Sequence, residues 1–379
     1  MNAVPVITGL GLVTPLGTGA RETWDVLLAG RFITDHARTK LEAQAPDRVH
    51  ALAAYAAGEA INEAGWAERG TTGSLRAALV VGTSRGAIET FVAPLPHMSS
   101  SSYVMAGCAC AGGWGLSSIA THVRKTLPII DGPSLTLSAA CASGLHALIR
   151  GAMMIRSGEA DRVLVVAAEA SVNSLFLGSF KRLGVLPREG FGCRPFDVDR
   201  DGFLMSEAAA AVCLERAETG SDRPAYARVD RFALGSDATH MTGSDPAGQT
   251  LRRLIRHVAI GRSIDLIHAH GTGTPTNDPI ELAAFDDECV TGETSSPPRV
   301  YSHKGALGHS LGAAGLVSVV LNCLAHANGV TPPNVQTRTP LPTRSIRIVR
   351  EAVEAPVRRS VAVAAGFGGP TAAVSLVSP

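Results

Sequence analysis

Excess charge of either sign is missing from this chain of 379 residues: 34 Lys and Arg stand against 33 Asp and Glu, a formal net charge of +1. Such a balance gives no general attraction to nucleic acid or to an acidic membrane, and neither is an expected partner. Paired cysteines are missing too. Seven are present, an odd number, with Cys108 and Cys110 the only close pair. No further ligands stand at metal-binding spacing, so neither a disulfide framework nor a metal site is expected, and reduced thiols point to a cytoplasmic location. No basic region precedes the first apolar residues, so no signal peptide is expected. The longest apolar small-residue region, Leu135 to Ile155, contains His146 and Arg150 and is punctuated by glycine, which excludes a membrane span. Aromatic residues are scarce at 4%, whereas glycines number 40. That combination predicts tight turns and helices packed closely on sheets. A hydrophobic content of 45% against 18% charged residues predicts a soluble chain with much buried surface, long enough for one large core or two fused domains.

Along the chain, Val4 to Gly17 reads as a strand entering a Thr-Pro turn, and Glu22 to Ala29 as a helix with Trp24, Leu27 and Leu28 inward. Val49 to Ala64 is an Ala-rich helix ending at Gly65, and Ala77 to Gly82 a buried strand. Between Phe91 and Pro128 the pattern weakens to a loop-rich insertion or an interface segment, with a helix around Ile119 to Lys125. Ala208 to Leu214 is a further buried strand, and a second half begins near Ala225. Ile7, Thr14 and Pro15 recur as Ile267, Thr274 and Pro275, all 260 positions later; Ala211, Val212 and Leu214 recur as Ala373, Val374 and Leu376, 162 positions later. Together they predict two similarly built halves of alternating strands and helices, hence parallel-rich sheets covered by helices.

The stretch Ser134 to Ala170 organises the rest. Leu135 and Leu137 alternate with polar residues, as in a short buried strand, and small residues follow from Ala139 to Gly144 around Cys141. Leu145, Leu148, Ile149, Ala152, Met153 and Ile155 then recur at helical spacing up to Ser157-Gly158, and Val163 to Val166 is a second strand. Cys141 therefore sits at a strand-to-helix turn, where helix N–H groups and the helix dipole lower a thiol's pKa. The elbow fits a nucleophile as well as a buried structural cysteine. Asp197, Asp199, Asp201 and Gly202 imitate the start of a calcium loop, but the twelfth position is Ala208, so a polar loop anchored by charge pairs is expected instead.

In the second half, His270 ends a strand, Asp265 to Ala269, and enters the turn GTGTPT; His268 lies on the strand itself as a core or supporting residue. The turn lacks the third glycine of a dinucleotide fingerprint and the lysine of a P-loop. Lys304 and His309 occupy a loop between a strand ending near Ser302 and a helix of Leu311, Leu316, Val317, Val320, Leu321 and Leu324, which repeats the geometry around Cys141. A solvated Lys304 and a helix-capping His309 are the simpler readings of those two alone. Phe367, in GFGG (Gly366 to Gly369), fits an apolar gate or a core plug.

The set SAACASG, HGTGTPTNDPIE, SHKGALGHSLGAAG and GFGG, in that order, resembles the elongating β-ketoacyl-[acyl-carrier-protein] synthases of the thiolase-like superfamily, over nearly the whole chain. The resemblance implies an α/β, thiolase-like fold of two similar βαβαβαββ halves, 1–222 and 223–379, in five αβαβα layers, assembled as a homodimer or paired with a related subunit. It implies Cys141 as the nucleophile that takes an acyl chain from acyl carrier protein. His270 and His309 would bind the malonyl thioester carbonyl and promote decarboxylation, and Lys304 would be linked to Asp278 and Glu281. Thr272 and Thr274 would line the phosphopantetheine arm, with Phe203 and Gly368 also against substrate. The backbone N–H groups of Cys141 and Phe367 would form the oxyanion hole. No metal or redox cofactor is implied, because phosphopantetheine arrives on the carrier protein.

Departures from the family pattern are Ser318 where Glu is frequent, Pro370-Thr371 after GFGG, SEAAA (Ser206 to Ala210) after DGF, and a short region between Phe91 and Pro128. They fit a polyketide or polyene pathway as readily as fatty-acid synthesis. A non-catalytic, chain-length-setting subunit usually lacks the nucleophile, and a thiolase acting on coenzyme A esters replaces one histidine by a second cysteine; the present motifs favour neither.

Overall fold

The computed structural model describes residues 3–42, 44–66, 76–92, 115–217, 224–243, 245–289 and 296–379. Two units with the same element order make up the chain. The first runs through β1 (Pro5–Thr14), α1 (Ala20–Leu28), α2 (Arg48–Ala64), β2 (Ala77–Gly82), α3 (Ser118–Thr126), β3 (Ser134–Leu137), α4 (Ser143–Ser157), β4 (Arg162–Glu169), α5 (Ser174–Arg182) and β5 (Ala208–Arg216). The second runs through β6 (Ala227–Ser236), α6 (Gln249–Ala259), β7 (Leu266–His268), α7 (Asn277–Glu288), β8 (Arg299–Tyr301), α8 (Ala314–Asn328), β9 (Arg359–Ala365) and β10 (Pro370–Val377). Apart from α1 and α5, each unit is βαβαβαββ.

The strands follow the order β3-β2-β4-β5-β1 in the first unit and β8-β7-β9-β10-β6 in the second, the same order once each unit is numbered from its own first strand. Directions agree as well: β2 lies parallel to β3 and β4, and β7 parallel to β8 and β9, while the last two strands of each unit pair antiparallel. The units meet at β1 and β6 through only two residue pairs, Val6 with Arg228 and Ile7 with Ala227. The expected boundary at 222/223 lies outside the described residues.

Side chains alternate along each strand and so feed two cores. On β4, Val163, Val165 and Ala167 face a central core with Leu148 of α4 and Leu316 and Val320 of α8. Leu164, Val166 and Ala168 face an outer core with Leu52, Ala56 and Ala60 of α2 and Ile119 of α3. In the second unit Ile267 and Val361 face α6 and α7 through Leu254, Val258, Leu282 and Phe285. The layers are therefore α2/α3, sheet, α4/α8, sheet, α6/α7. Strands buried on both faces need continuous apolar runs, which is why β4 reads RVLVVAAE. The abundance of glycine has its use at Gly11, where a Cβ would stand 1.9 Å from the carbonyl oxygen of Ala56. Only glycine lets α2 lie this close on β1. The apolar segment Leu311–Asn328, long enough to cross a membrane, is 83% buried within the protein and forms the central layer.

Two sequence expectations need correction. β3 is half-buried along its length, because it is the edge strand of the sheet rather than an interior one. The recurrence at 260 positions pairs β1 with β7, whereas the structural counterpart of β1 is β6. The recurrence at 162 positions does pair true counterparts, β5 and β10. Of the region Phe91 to Pro128, residues 93–114, with Cys108 and Cys110, lie outside the described residues; the remainder contains α3, whose Ile119, Ala120 and Val123 cover the first sheet.

Candidate active site

The elbow after β3 turns through Ala140, whose φ of 47° is positive without the freedom of glycine. Ser143 fastens the turn: its Oγ donates to the carbonyl of Ala140 at 2.6 Å and accepts from the N–H of Ala139 at 2.9 Å. Ala142 is the N-cap of α4, so Cys141 stands one residue outside the helix with the first N–H groups beneath it. From the opposite unit, His309 brings Nε2 to 3.2 Å from Cys141 Sγ.

His309 is clamped by the segment after DGF. Its N–H donates to the carbonyl of Leu204 at 2.7 Å, and its carbonyl accepts from the N–H of Ser206 at 3.1 Å. The Phe203 ring meets its imidazole edge-on at 4.9 Å. Glu207, fully buried, anchors that segment through Arg48 at 2.7 Å and Arg38 at 3.1 Å. The Asp197–Gly202 loop braces the neighbouring turn as a polar loop. Asp197 accepts from the N–H groups of Arg338, Thr339 and Asp199, Asp201 pairs with Arg188, and the Gly202 N–H donates to the carbonyl of Gly273.

His270 follows β7 with its ring centroid 5.4 Å from that of His309 and nearly perpendicular to it. Its peptide is held from both sides: the N–H donates to Glu281 Oε1 at 2.5 Å, and Lys304 Nζ donates to the carbonyl. Glu281 also accepts from the N–H of Gly271, while Asp278 accepts from the N–H groups of Phe196 and Gly273. The expected link of Lys304 to these carboxylates thus runs through the backbone of His270, with no direct ion pair. Thr272 and Thr274 share a hydroxyl–hydroxyl bond of 2.9 Å in the turn that follows.

These groups meet in a narrow cleft lined by Cys141, His270, His309, Thr272, Thr274, Phe203 and Phe367. Lys304 lies fully buried beneath it. Gly368 does not line it; its N–H donates to the carbonyl of Met241, tying the GFGG turn to the loop before α6. The backbone of Gly366 passes so near the elbow that a Cβ there would stand 3.1 Å from the Cys141 N.

Burial governs the charges. It holds the imidazoles of His270 and His309 well below the usual histidine range, with Lys304 adding to the effect, so both are neutral at pH 7. His309 Nδ1 has no partner; a bare lone pair costs less there than an unsatisfied N–H, which places the proton on Nε2, facing the cleft. Burial raises Asp278 to about 6, and moves Lys304 down and Glu281 up. It also pushes the Cys141 thiol up to about 12, against the opposing pull of Lys304. Desolvation of the thiolate thus opposes the lowering expected from the helix N-terminus and is the larger of the two effects. With the thiol raised, the thiolate fraction climbs with pH, and alkylation of Cys141 by iodoacetamide should accelerate about tenfold per unit between pH 6 and 8. A rate already level below pH 7 would contradict this balance.

Several lining residues escaped the sequence reading. Phe180, the one buried residue of α5, packs 5.7 Å from Phe203 and 6.2 Å from Phe367. Thr242, Gly243 and Asn277 line the mouth without any sequence signal. Glu169 did carry one, as an acid closing an otherwise apolar strand. Fully buried, it accepts from the N–H groups of Ser84, Arg85 and Gly312 and joins the elbow's unit to the turn after His309.

Residues 34–220 match the model of the β-ketoacyl synthase N-terminal domain, and residues 226–338 that of the C-terminal domain. The tetracenomycin polyketide synthase ketoacyl synthase alpha subunit of Streptomyces glaucescens is 30% identical over 99% of this chain and 97% of its own. The 3-oxoacyl-[acyl-carrier-protein] synthase 2 of Coxiella burnetii is 29% identical over 96% of each. Among solved structures, the ishigamide ketosynthase/chain length factor covers both chains fully with a TM-score of 0.88 at 29% identity.

Proposed function

Because the chain belongs to the β-ketoacyl synthase family, we propose that it is a condensing acyltransferase: Cys141 accepts an acyl group from acyl carrier protein and joins it to the two-carbon unit of malonyl carrier protein, giving a 3-oxoacyl product. The convergence of Cys141 with His309 at 3.2 Å, and of His309 with His270, carries this reading.

In the first half-reaction Cys141 sulfur attacks the thioester carbonyl. The C–S bond to phosphopantetheine breaks, and the thiol proton of Cys141 ends on the departing phosphopantetheine sulfur. The thioester oxygen, negative in the tetrahedral state, is held by the N–H groups of Cys141 and Phe367. In the second, the malonyl thioester oxygen sits between the Nε2–H of His309 and the ring N–H of His270. The electron pair of the bond to carboxylate moves into the enolate as CO₂ leaves, and two fixed neutral donors stabilise the charge that develops. The enolate carbon then attacks the Cys141 thioester, whose collapse releases the sulfur, to be protonated from solvent. Burial, reinforced by Lys304, keeps both imidazoles neutral, and Lys304 holds the His270 peptide.

A chain-length-setting subunit without catalysis is disfavoured because the nucleophile and both histidines are present and in contact; a coenzyme A thiolase is disfavoured by the two-histidine set. Mass spectrometry after incubation with a panel of acyl-carrier-protein thioesters tests the reading. Acylation is expected at Cys141 alone, since the other described cysteines are all buried. Labelling that survives Cys141→Ala would sink it.

Two further expectations follow from the same reading. Phe367, half-buried on a turn in which Gly368 and Gly369 have φ of 83° and 93°, acts as a gate on the acyl path. Phe367→Ala should change acylation rates or chain-length preference with the fold intact; identical kinetics across several acyl lengths would make it core filler. The assembly is a dimer, supported by the half-buried edge strand β3 with Leu135 and Leu137. Light scattering at micromolar concentration should give twice the monomer mass, and a monomer would contradict it.

A further inference from the structure

Two buried histidines take no part in those steps. His268 lies on β7, two residues before His270, and His303 precedes Lys304 at the head of the one-turn helix Lys304–Leu307. Their rings meet, with His268 Nε2 2.8 Å from His303 Nδ1. His268 Nδ1 lies 2.8 Å from Asn322 Oδ1 on α8. With that oxygen as acceptor the protons are fixed: His268 donates to Asn322, and His303 Nδ1–H donates to His268 Nε2.

All three side chains are at most 1% exposed, and His303 Nε2 and Asn322 Nδ2 have no partner. Apolar residues in this central layer would avoid that desolvation, so the cluster is a poor device for stability. Its placement offers a different use. The His268–His303 bond and the bond from Lys304 Nζ to the His270 carbonyl are two long side-chain rungs between the same two segments, one carrying His270 and the other leading to His309, added to the β7–β8 ladder and the Ser302 Oγ bond to the Gly271 carbonyl. The carbonyl of His303 accepts from the N–H groups of Ala306 and Leu307, so its position is coupled to the turn that delivers His309. The elbow of Cys141 is fastened separately, by Ser143.

Resting on the condensing reading above, we propose that His268 and His303 are positioning residues: their bond sets the spacing of the His270 and His309 imidazoles at the malonyl thioester oxygen. Decarboxylation, which needs both donors on one atom, depends on this rung; loading of Cys141, which uses the elbow's own N–H and needs only that His309 stay within reach of the sulfur, depends on it less.

The test measures CO₂ release from malonyl carrier protein and acyl loading of Cys141 in His268→Leu, His303→Leu, the double variant and His268→Gln. Misplacing a donor by about 1 Å should lower CO₂ release about 10²-fold in each leucine variant, with loading reduced less than about threefold. The double variant should be no worse than the worse single, because one shared rung is lost once. His268→Gln, long enough to reach His303, should retain most of the activity. Either position cuts the rung, so one variant that fails to fold leaves the other. Unchanged CO₂ release in a folded leucine variant, an equal fall in both half-reactions, or losses that multiply in the double variant would overturn the tie while the condensing function stands. Wild-type protein that releases no CO₂ would overturn the function reading and this proposal together.

Discussion

Cys141→Gln should lose condensation completely yet continue to release CO₂ from malonyl carrier protein. The two half-reactions place different demands on the site. Acyl transfer needs a sulfur nucleophile, and none of the other described cysteines reaches the cleft. Decarboxylation needs only donors aimed at the malonyl thioester oxygen, and His270 and His309 remain in place without the thiol. The glutamine amide stands roughly where an acyl thioester would lie and so imitates the loaded enzyme. Headspace CO₂ and product mass spectrometry separate the two outcomes. Residual condensation in this variant would remove Cys141 from the role of nucleophile, and a parallel loss of CO₂ release would make the thiol part of the decarboxylating machinery.

His309→Ala and His270→Ala should instead cripple decarboxylation, each by about 10²–10³, the effect of deleting one donor from a preorganised oxyanion site and equivalent to about 2.7–4 kcal/mol. The effects should be alike because both imidazoles are buried, neutral and held close to one another. They differ in the other half-reaction. His309 alone touches Cys141 Sγ, so His309→Ala should also slow loading, whereas His270→Ala should leave it close to wild type. If His309→Ala decarboxylates normally, the two-donor assignment fails and His309 is left as a brace between Cys141 and the Leu204–Ser206 segment.

The sequence exposed much of this design where local rules and tertiary demands coincide. The strand–small residues–helix pattern around Cys141 located the elbow within a residue, because the period-2 alternation ends at Leu137, a tight turn must be small, and helical spacing starts after Ser143. Gly65 and Gly158 marked helix ends through their left-handed backbone. The candidate site was legible through the order of four motifs, from which the fold brings Cys141, His270, His309 and Phe367 to one cleft. What escaped depends on three-dimensional neighbours. The half-exposure of β3 follows from its place at the sheet edge, which Leu135 and Leu137 do not announce. The upward push on the Cys141 thiol comes from burial, where the sequence showed only the helix dipole. The Lys304 contact with the His270 carbonyl, and not with Glu281 or Asp278, depends on side-chain reach across β7 and β8. The repeat at 260 positions misled because a turn signature is shorter than the fold unit that contains it.

The central claim is that Cys141 holds the acyl chain while the two histidines generate the carbon nucleophile. Its most direct test is a chase on isolated acyl-Cys141 protein. The enzyme is loaded from acyl carrier protein, freed of donor, and mixed with malonyl carrier protein. Intact-protein mass spectrometry then follows Cys141 and the carrier together. The account predicts that the acyl mass leaves Cys141 as CO₂ and a 3-oxoacyl carrier two carbons longer appear in equal amounts. Acyl mass that stays on Cys141 while CO₂ is released, or an elongated product formed without passing through Cys141, would contradict it.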